Sequence, residues 1–308
     1  MTAPDAPPAP PQTTPYRPVV AALWMLGSVV SFSGMAIAGR QLQGAHDTFE
    51  IMAARSFVSF FLVLGAAAAM GRLRDISADR LGGHGIRNVV HFTGQNLWFW
   101  ALTMIPLAQL IAIEFTSPLW VILLSPLLLG ERITAPRALA AALGFAGILI
   151  VVRPDFNALN IGVLAAAGAA VCFAATNIAT KRLARDVTIL SILFWLTVMQ
   201  FIFGAVLAAW DGQIAWPTAA TAPWLALIGV TGVLAHLCLT SALRLAPATF
   251  VMPIDFTRLP LMAVAGALLY NEQIEAVLFL GAGLILFANW VNIRSETRKT
   301  HRPSMTVR

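Results

Sequence analysis

Two stretches decide the architecture of this chain: residues 106–131, PLAQLIAIEFTSPLWVILLSPLLLGE, and residues 247–272, PATFVMPIDFTRLPLMAVAGALLYNE. They align without a gap at an offset of 141 residues. The shared positions are Pro106/Pro247, Ile113/Ile254, Phe115/Phe256, Thr116/Thr257, Leu127/Leu268, Leu128/Leu269 and Glu131/Glu272, with Glu114 over Asp255. The same offset pairs Phe32, Ile37 and Ala38 with Phe173, Ile178 and Ala179. One offset shared by distant polar and apolar positions indicates an internal duplication.

The composition indicates that this duplicated chain is surrounded by lipid. Of its 308 residues, 58% are hydrophobic and only 11% are charged, whereas a soluble domain carries about 25% charged residues because water must solvate its surface. The net charge is +6, but the basic residues are scattered between apolar runs. That pattern is typical of membrane orientation and not of nucleic-acid binding. Cys172 and Cys238 each lie within an apolar run, so neither a disulfide framework nor a metal site is predicted.

Ten apolar runs are long enough to cross a bilayer as helices, which takes about 20 residues each. They cover residues 19–38, 49–70, 88–105, 107–129, 136–152, 160–180, 188–210, 222–243, 248–270 and 274–293. Only Ile105-Pro106 separates the third run from the fourth, so nine spans is the alternative count. Residues 1–18 form a Pro-rich tail that is predicted to be disordered, and residues 295–308 form a basic C-terminal tail. The prediction is an all-α integral membrane protein of ten transmembrane helices.

Lysine and arginine residues predict how the spans are oriented, because they concentrate in cytoplasmic loops. With ten spans and a cytoplasmic N-terminus, 16 of the 20 basic residues face the cytoplasm. Arg40 and Arg153 fall outside, and Arg55 and Arg258 fall within spans. A nine-span count would break this alternation. The sequence therefore predicts a multi-pass protein of the plasma membrane (a bacterial inner membrane) with both termini in the cytoplasm.

Five spans per copy is an odd number, so the second copy enters the membrane upside down. Residues 19–153 would be the first repeat and residues 160–294 the second. The sequence resembles the ten-helix EamA-type branch of the drug/metabolite transporter superfamily. The resemblance rests on Arg55, Ala101-Leu102 before Pro106, the ending Leu129-Gly130-Glu131, and, in the second half, Ala242-Leu243, Pro260 and Glu272, with Asn271 in place of the glycine. It implies a central cavity, alternating access, and movement of amino acids, vitamins or related metabolites.

Charged side chains within the spans are the candidate substrate site, because a charge inside a bilayer costs several kcal/mol and needs a partner. Arg55 and Glu114 are both expected about 10 Å below the outer face, so an ion pair between them is possible. Asp255 and His236 are expected about 10 Å above the cytoplasmic face, with Arg258 on the same helical face as Asp255. In one interpretation Arg258 meets an anionic substrate group, and a carboxylate meets a cationic group or a proton. In the other, all of them are structural ion pairs.

Further polar and kink-forming residues complete the candidate site. His91, Gln95 and Asn96 form a polar stripe on the third span and are expected to line the cavity, whereas Trp98 and Trp100 are expected to anchor the helix at the interface. The kink or gate candidates are Pro118, Pro126, Pro253, Pro260, Glu131 and Glu272. The alternatives are static packing kinks for the prolines and helix capping for the glutamates.

The predicted function is secondary transport of a small polar, amino-acid-like metabolite by alternating access, with export favoured and protons as the candidate coupling ion. The alternative is uptake of a vitamin or nucleoside-like metabolite. A primary pump is excluded because the chain has no nucleotide-binding P-loop. An intramembrane enzyme and a channel are the alternatives from other classes. The motifs G-x-S-x-G, H-E-x-x-H and C-x-x-C are absent, so no enzyme, cofactor or metal site is predicted.

Overall fold

The computed structural model describes residues 17–129, 133–152, 160–210, 212–246, 251 and 254–300. Over these residues the chain is helical and contains no strand. The helices are α1 (Pro18–Gln41), α2 (Thr48–Ala69), α3 (Leu81–Leu102), α4 (Leu107–Glu114), α5 (Ser117–Leu129), α6 (Ala135–Val152), α7 (Ile161–Leu183), α8 (Ile189–Ala208), α9 (Ala222–Leu245), α10 (Arg258–Tyr270) and α11 (Ala276–Thr300). A short 3-10 helix, Leu73–Asp75, lies between α2 and α3. The all-helical prediction is therefore confirmed.

In the part of the chain that the structure describes, six helical segments are long and apolar enough to cross a membrane. They are Pro18–Gln41, Thr48–Ala69, Leu107–Leu128, Ile161–Leu183, Ile189–Ala208 and Ala222–Leu243, and the third of them joins α4 to α5. Shorter apolar helices cover Ala138–Val151, Arg258–Tyr270 and Ala276–Asn292. Helix α3 has 22 residues, but polar side chains recur along it.

Capping side chains determine where several helices begin. Glu50 N donates to Asp47 Oδ1 at 2.8 Å, and Asp47 N donates to Glu50 Oε2 at 3.1 Å, which forms a capping box at the start of α2. Asn160 caps α7 and Thr188 caps α8 by accepting backbone N–H groups.

Helix α3 differs from its predicted boundaries. It begins at Leu81, whereas the predicted third run begins at residue 88. Arg87, assigned from sequence to the preceding loop, therefore lies in the second turn of α3 and is only 7% exposed. A charged residue at the edge of an apolar run looks like a loop residue, and only its packing against α7 reveals its burial.

The helices pack mainly in four pairs: α1 with α9, α2 with α8, α3 with α7, and α6 with α11. Small residues allow the last pair to approach closely, because a Cβ atom added to Gly147 would lie 2.7 Å from the carbonyl oxygen of Gly281. Lipid tails are as apolar as leucine, so close packing has to hold such helices together. The largest buried core cluster includes Phe99, Leu110 and Ile111.

Loop contacts define the two ends of the bundle. At one end, here called the Asp75 end, Thr188 Oγ1 donates to Asp75 O at 2.8 Å, and Arg80 Nε lies 3.1 Å from Asp186 Oδ2. At the other, the Glu272 end, the loops that follow α1 and α8 approach one another. Residues 72–87 and 181–185, which hold seven of the basic residues predicted to face the cytoplasm, thus lie at the same end.

The α6–α11 contact generates a first prediction. Gly147→Ala places a methyl group against the Gly281 carbonyl, and overpacking of this kind costs about 1–3 kcal/mol. The melting temperature of the purified protein in detergent should fall by about 3 °C or more. Gly283→Ala on α11 is the matched control, because a Cβ atom there meets nothing within 4 Å. Equal melting temperatures for the two variants would contradict this packing.

Candidate functional site

The two stretches that align at an offset of 141 residues both break their helices at the same repeat position. Helix α4 ends at Glu114 and α5 begins at Ser117, whereas residues 254–255 are helical and α10 begins at Arg258. Pro118 and Pro260 lie in the first turns of α5 and α10, where a missing N–H group is tolerated. Pro126 lies inside α5, and Pro253 lies outside the described residues.

Side chains satisfy backbone carbonyl groups at both breaks. Thr116 Oγ1 donates to Ile113 O at 2.6 Å, and Thr257 Oγ1 donates to Ile254 O at 2.7 Å. Asn289 on α11 donates through Nδ2 to Phe115 O at 2.7 Å. Within a bilayer such carbonyl groups have no water to bond, so these partners stabilise the breaks.

A charge cluster lies directly beside the breaks. Arg258 Nη2 donates to Glu114 Oε1 at 2.8 Å and lies 3.7 Å from Asp255 Oδ2. Trp98 Nε1 donates to the other Glu114 oxygen, Oε2, at 2.8 Å. Two carboxylates therefore share one guanidinium group, while Asp255 Oδ1 is buried without a hydrogen-bond partner among the described residues. The cluster carries one excess negative charge when both acids are ionised, and it can accept a proton or a cationic group.

Aromatic rings surround this charge cluster. The Arg258 guanidinium carbon lies 5.0 Å from the Phe32 ring centroid and 4.9 Å from that of Phe115, which is cation–π distance. Phe115 meets Phe256 edge to face, with 5.3 Å between ring centroids. His236 meets the Phe32 ring edge-on at 5.4 Å. We call Phe32, Phe115, Phe256 and His236 the ring cluster.

The ion pair between Arg55 and Glu114 that the sequence allows is not formed. Arg55 instead donates through Nη1 to Gln95 Oε1 at 2.9 Å, and Glu114 is bound to Arg258 and Trp98. Nor do Glu114 and Asp255 occupy separate depths, because both reach the same arginine. A membrane depth calculated from the helical rise per residue ignores both the helix breaks and the direction in which each side chain points.

The polar and tryptophan residues of the third span have different surroundings in the structure. Gln95 lies against Arg55, and His91 is buried with no partner on either ring nitrogen. Asn96 donates to Phe92 O of its own helix at 2.8 Å and does not join the charge cluster. Trp98, expected at the interface, is only 3% exposed and contacts Glu114, whereas Trp100 is 40% exposed.

At the Glu272 end, the Glu272 carboxylate contacts both α1 and the start of α4. Its Oε1 pairs with Arg40 Nη2 at 2.6 Å, and its Oε2 accepts from Leu107 N at 2.8 Å, at the start of α4. Arg40 also donates to Ile105 O at 2.8 Å and lies over the Tyr270 ring. These contacts link α1, α4 and α10 at this end of the bundle. The repeat-related Glu131 lies outside the described residues.

Long apolar helices with charged side chains buried between them define a multi-pass membrane protein. Two segments of the chain, residues 19–153 and 160–294, each match the EamA-like transporter family. The chain belongs to this family, as its sequence resemblance indicated. In the part of the chain that the structure describes, no three His, Cys, Asp or Glu side chains are grouped as a metal site requires.

Named relatives are transporters of small metabolites. A riboflavin transporter of Rhizobium johnstonii is 32% identical over 94% of this chain and 96% of its own length, and one of Vibrio cholerae is 30% identical over 93% and 97%. An S-adenosylmethionine uptake transporter of Rickettsia conorii is 25% identical over 91% and 94%. A protein known from its crystal structure shares the fold, with a TM-score of 0.63 at 20% identity over 92% of this chain and 99% of that one. The protein is a small-metabolite transporter.

The shared arginine of the charge cluster generates a second prediction. Arg258→Gln leaves two buried carboxylates without their cation, and breaking a buried pair in this way costs about 3–5 kcal/mol. The double variant Arg258→Gln/Glu114→Gln should melt closer to the native protein than Arg258→Gln does. Melting temperatures in detergent measure this double-mutant cycle. Additive losses would contradict the direct contact between Arg258 and Glu114.

Proposed function

We propose that the chain is a ten-span carrier made of two inverted five-helix repeats. Support comes from the starting residues of the helices, which recur at the offset of 141 residues. The pairs are Thr48 and Ile189, Leu81 and Ala222, Ser117 and Arg258, and Ala135 and Ala276. The packing agrees, because α1–α9 and α3–α7 exchange under the repeat, while α2–α8 and α6–α11 each join a helix to its own repeat mate. Such inverted repeats serve alternating access around a site near the bilayer midplane.

The orientation we propose places both termini and the Asp75 end in the cytoplasm of a bacterium, with the protein in the plasma membrane. The distribution of basic residues supports this orientation. The Glu272 end, with the Arg40–Glu272 ion pair, then faces outward.

Cysteine labelling of intact cells provides a third prediction. In a background in which Cys172 and Cys238 are replaced by alanine, a membrane-impermeant maleimide should label Ala45→Cys and Ala219→Cys. Ala78→Cys and Ala184→Cys should be labelled only after the cells are permeabilised. All four native residues are exposed in loops. Labelling of Ala78→Cys and Ala184→Cys from opposite sides would overturn the inverted topology.

The substrate we propose is a flat, ring-bearing metabolite of the vitamin or nucleoside class, moved into the cell. The observation that carries this proposal is the ring cluster around Arg258, since aromatic faces stack on planar rings while Glu114 and Arg258 supply polar contacts. The names of the riboflavin and S-adenosylmethionine transporters also favour uptake of a ring-bearing substrate. Export of an amino-acid-like metabolite, the first interpretation of the sequence, is less favoured.

In the mechanism we propose, the Arg40–Glu272 ion pair closes the Glu272 end and acts as one gate. Glu272 leaves Arg40 as that end opens, and Pro118 and Pro260, together with the sequence-predicted Pro253 and Glu131, belong to the elements that bend or close. A proton bound by Glu114 or Asp255 removes the excess negative charge beside Arg258. Protonation then biases which end is open, and a proton gradient drives uptake.

Transport by the purified full chain in liposomes provides the fourth prediction. Riboflavin uptake should be competed by S-adenosylmethionine and not by phenylalanine, and an inward proton gradient should accelerate it. Asp255→Asn and Arg258→Gln should each lower the uptake rate about tenfold or more, because a buried charge loses its partner. Arg74→Gln, at an exposed loop position, is the control at equal reconstituted protein. Unchanged uptake in both cluster variants would end the proposed role of the charge cluster. Competition by phenylalanine alone would restore the amino-acid interpretation.

A further inference from the structure

A second group of buried cations lies along α3, apart from the charge cluster at the breaks. Arg87, His91 and Gln95 are spaced four residues apart, so they lie on one helical face at intervals of about 6 Å. Arg55 from α2 joins this face through its 2.9 Å hydrogen bond to Gln95. Arg55, Arg87 and His91 are 6%, 7% and 7% exposed.

The hydrogen-bond partners of these two arginines are neutral. Arg87 donates through Nε to Thr180 Oγ1 at 2.7 Å and through Nη1 to Asn88 Oδ1 at 2.9 Å. Arg55 meets Gln95, the sulfur of Met52 and the α9 backbone near Gly232. Among the described residues, no carboxylate lies within ion-pair distance of either arginine. Arg40 and Arg258, by contrast, each have a glutamate within 3 Å.

Two guanidinium groups without a counter-charge are costly inside a bilayer, and neutral hydrogen bonds do not cancel their charge. His91 adds two buried ring nitrogens that have no partner in the structure. An oxyanion would supply the missing charge and acceptors at once, since the guanidinium fork matches phosphate and carboxylate groups.

This group lies one helical turn from the ring cluster, because Arg55 packs against Gly232 of α9 and His236 follows Gly232 by four residues. Phe173 packs on the His91 ring with 6.1 Å between centroids, and His236, which is exposed, packs on Phe32. His91 and Trp98, the partner of Glu114, are separated by about 10 Å along α3. One molecule can therefore place a planar ring in the ring cluster and an anionic tail beside His91.

We propose that Arg55, His91 and Arg87 form a subsite for an oxyanion of the phosphate or carboxylate class. The oxyanion is either attached to the ring-bearing substrate or bound together with it as a free ion. This inference rests on the proposed function for the ring, whereas the anion subsite itself rests on the arginines and His91 alone.

The test compares three probes on the purified full chain in lipid nanodiscs at constant ionic strength: riboflavin, riboflavin 5′-phosphate and inorganic phosphate. Flavin fluorescence reports affinity, and melting temperature reports phosphate binding. If the oxyanion is attached, riboflavin 5′-phosphate should bind about tenfold more tightly than riboflavin. If it is a free ion, phosphate should raise both the riboflavin affinity and the melting temperature.

Arg55→Gln and Arg87→Gln should abolish whichever effect is observed. Arg55→Lys and Arg87→Lys should keep part of the effect, and they serve as folded alternatives if the glutamine variants do not express. Arg74→Gln, from an exposed loop, is the matched control. If no variant alters the preference, or if neither phosphate nor the phosphorylated flavin has an effect, the subsite is wrong. If riboflavin fails to bind but phosphate stabilises the native protein and not Arg87→Gln, the anion subsite is supported and the proposed ring-bearing substrate is wrong.

Discussion

The structure depends on one constraint: a helix that breaks inside a bilayer must find partners for the backbone groups it frees. Here two breaks lie side by side, and their partners are built in. The hydroxyl groups of Thr116 and Thr257 donate hydrogen bonds to carbonyl groups of the preceding turn, and Asn289 of α11 donates a hydrogen bond to Phe115 O. The Phe115–Phe256 ring contact joins the two breaks. Because the breaks are fixed in this way, the neighbouring acids and Arg258 meet at one place.

The sequence predicted which charges lie buried between the helices better than it predicted how they pair. The position of Glu114 over Asp255 in the alignment and the location of Arg258 within a span were readable from single residues. How these charges pair was not readable in this way, because the helical rise per residue gives the depth of a residue but not the direction of its side chain. Arg55 and Glu114 have similar predicted depths, yet Arg55 faces Gln95 on α3 while Glu114 faces Trp98 and Arg258.

Three contributors to the site were missed because their residue types carry ambiguous signals. Trp98 looks like an interfacial anchor, Asn289 like any polar residue near a helix end, and Arg87 like a loop residue at the edge of an apolar run. A usable signal did exist for Arg87, since its spacing to His91 and Gln95 is helical. No comparable pattern marks Asn289, whose role arises only from the packing of α11 against the break.

The buried acidic groups and the buried basic groups are distributed differently between the two repeats. The carboxylates Glu114 and Asp255 occupy equivalent positions in the two halves, whereas the repeat mates of Arg55, Arg87 and His91 are Leu196, Ile228 and Gly232. An acid contributed by each half suits a group that must be reached from either end of the bundle, as a proton site in an alternating-access carrier is. Cations present in one half alone cannot be exchanged by the pseudo-symmetry. In the proposed anion subsite they would therefore hold a substrate with chemically different ends in a single orientation.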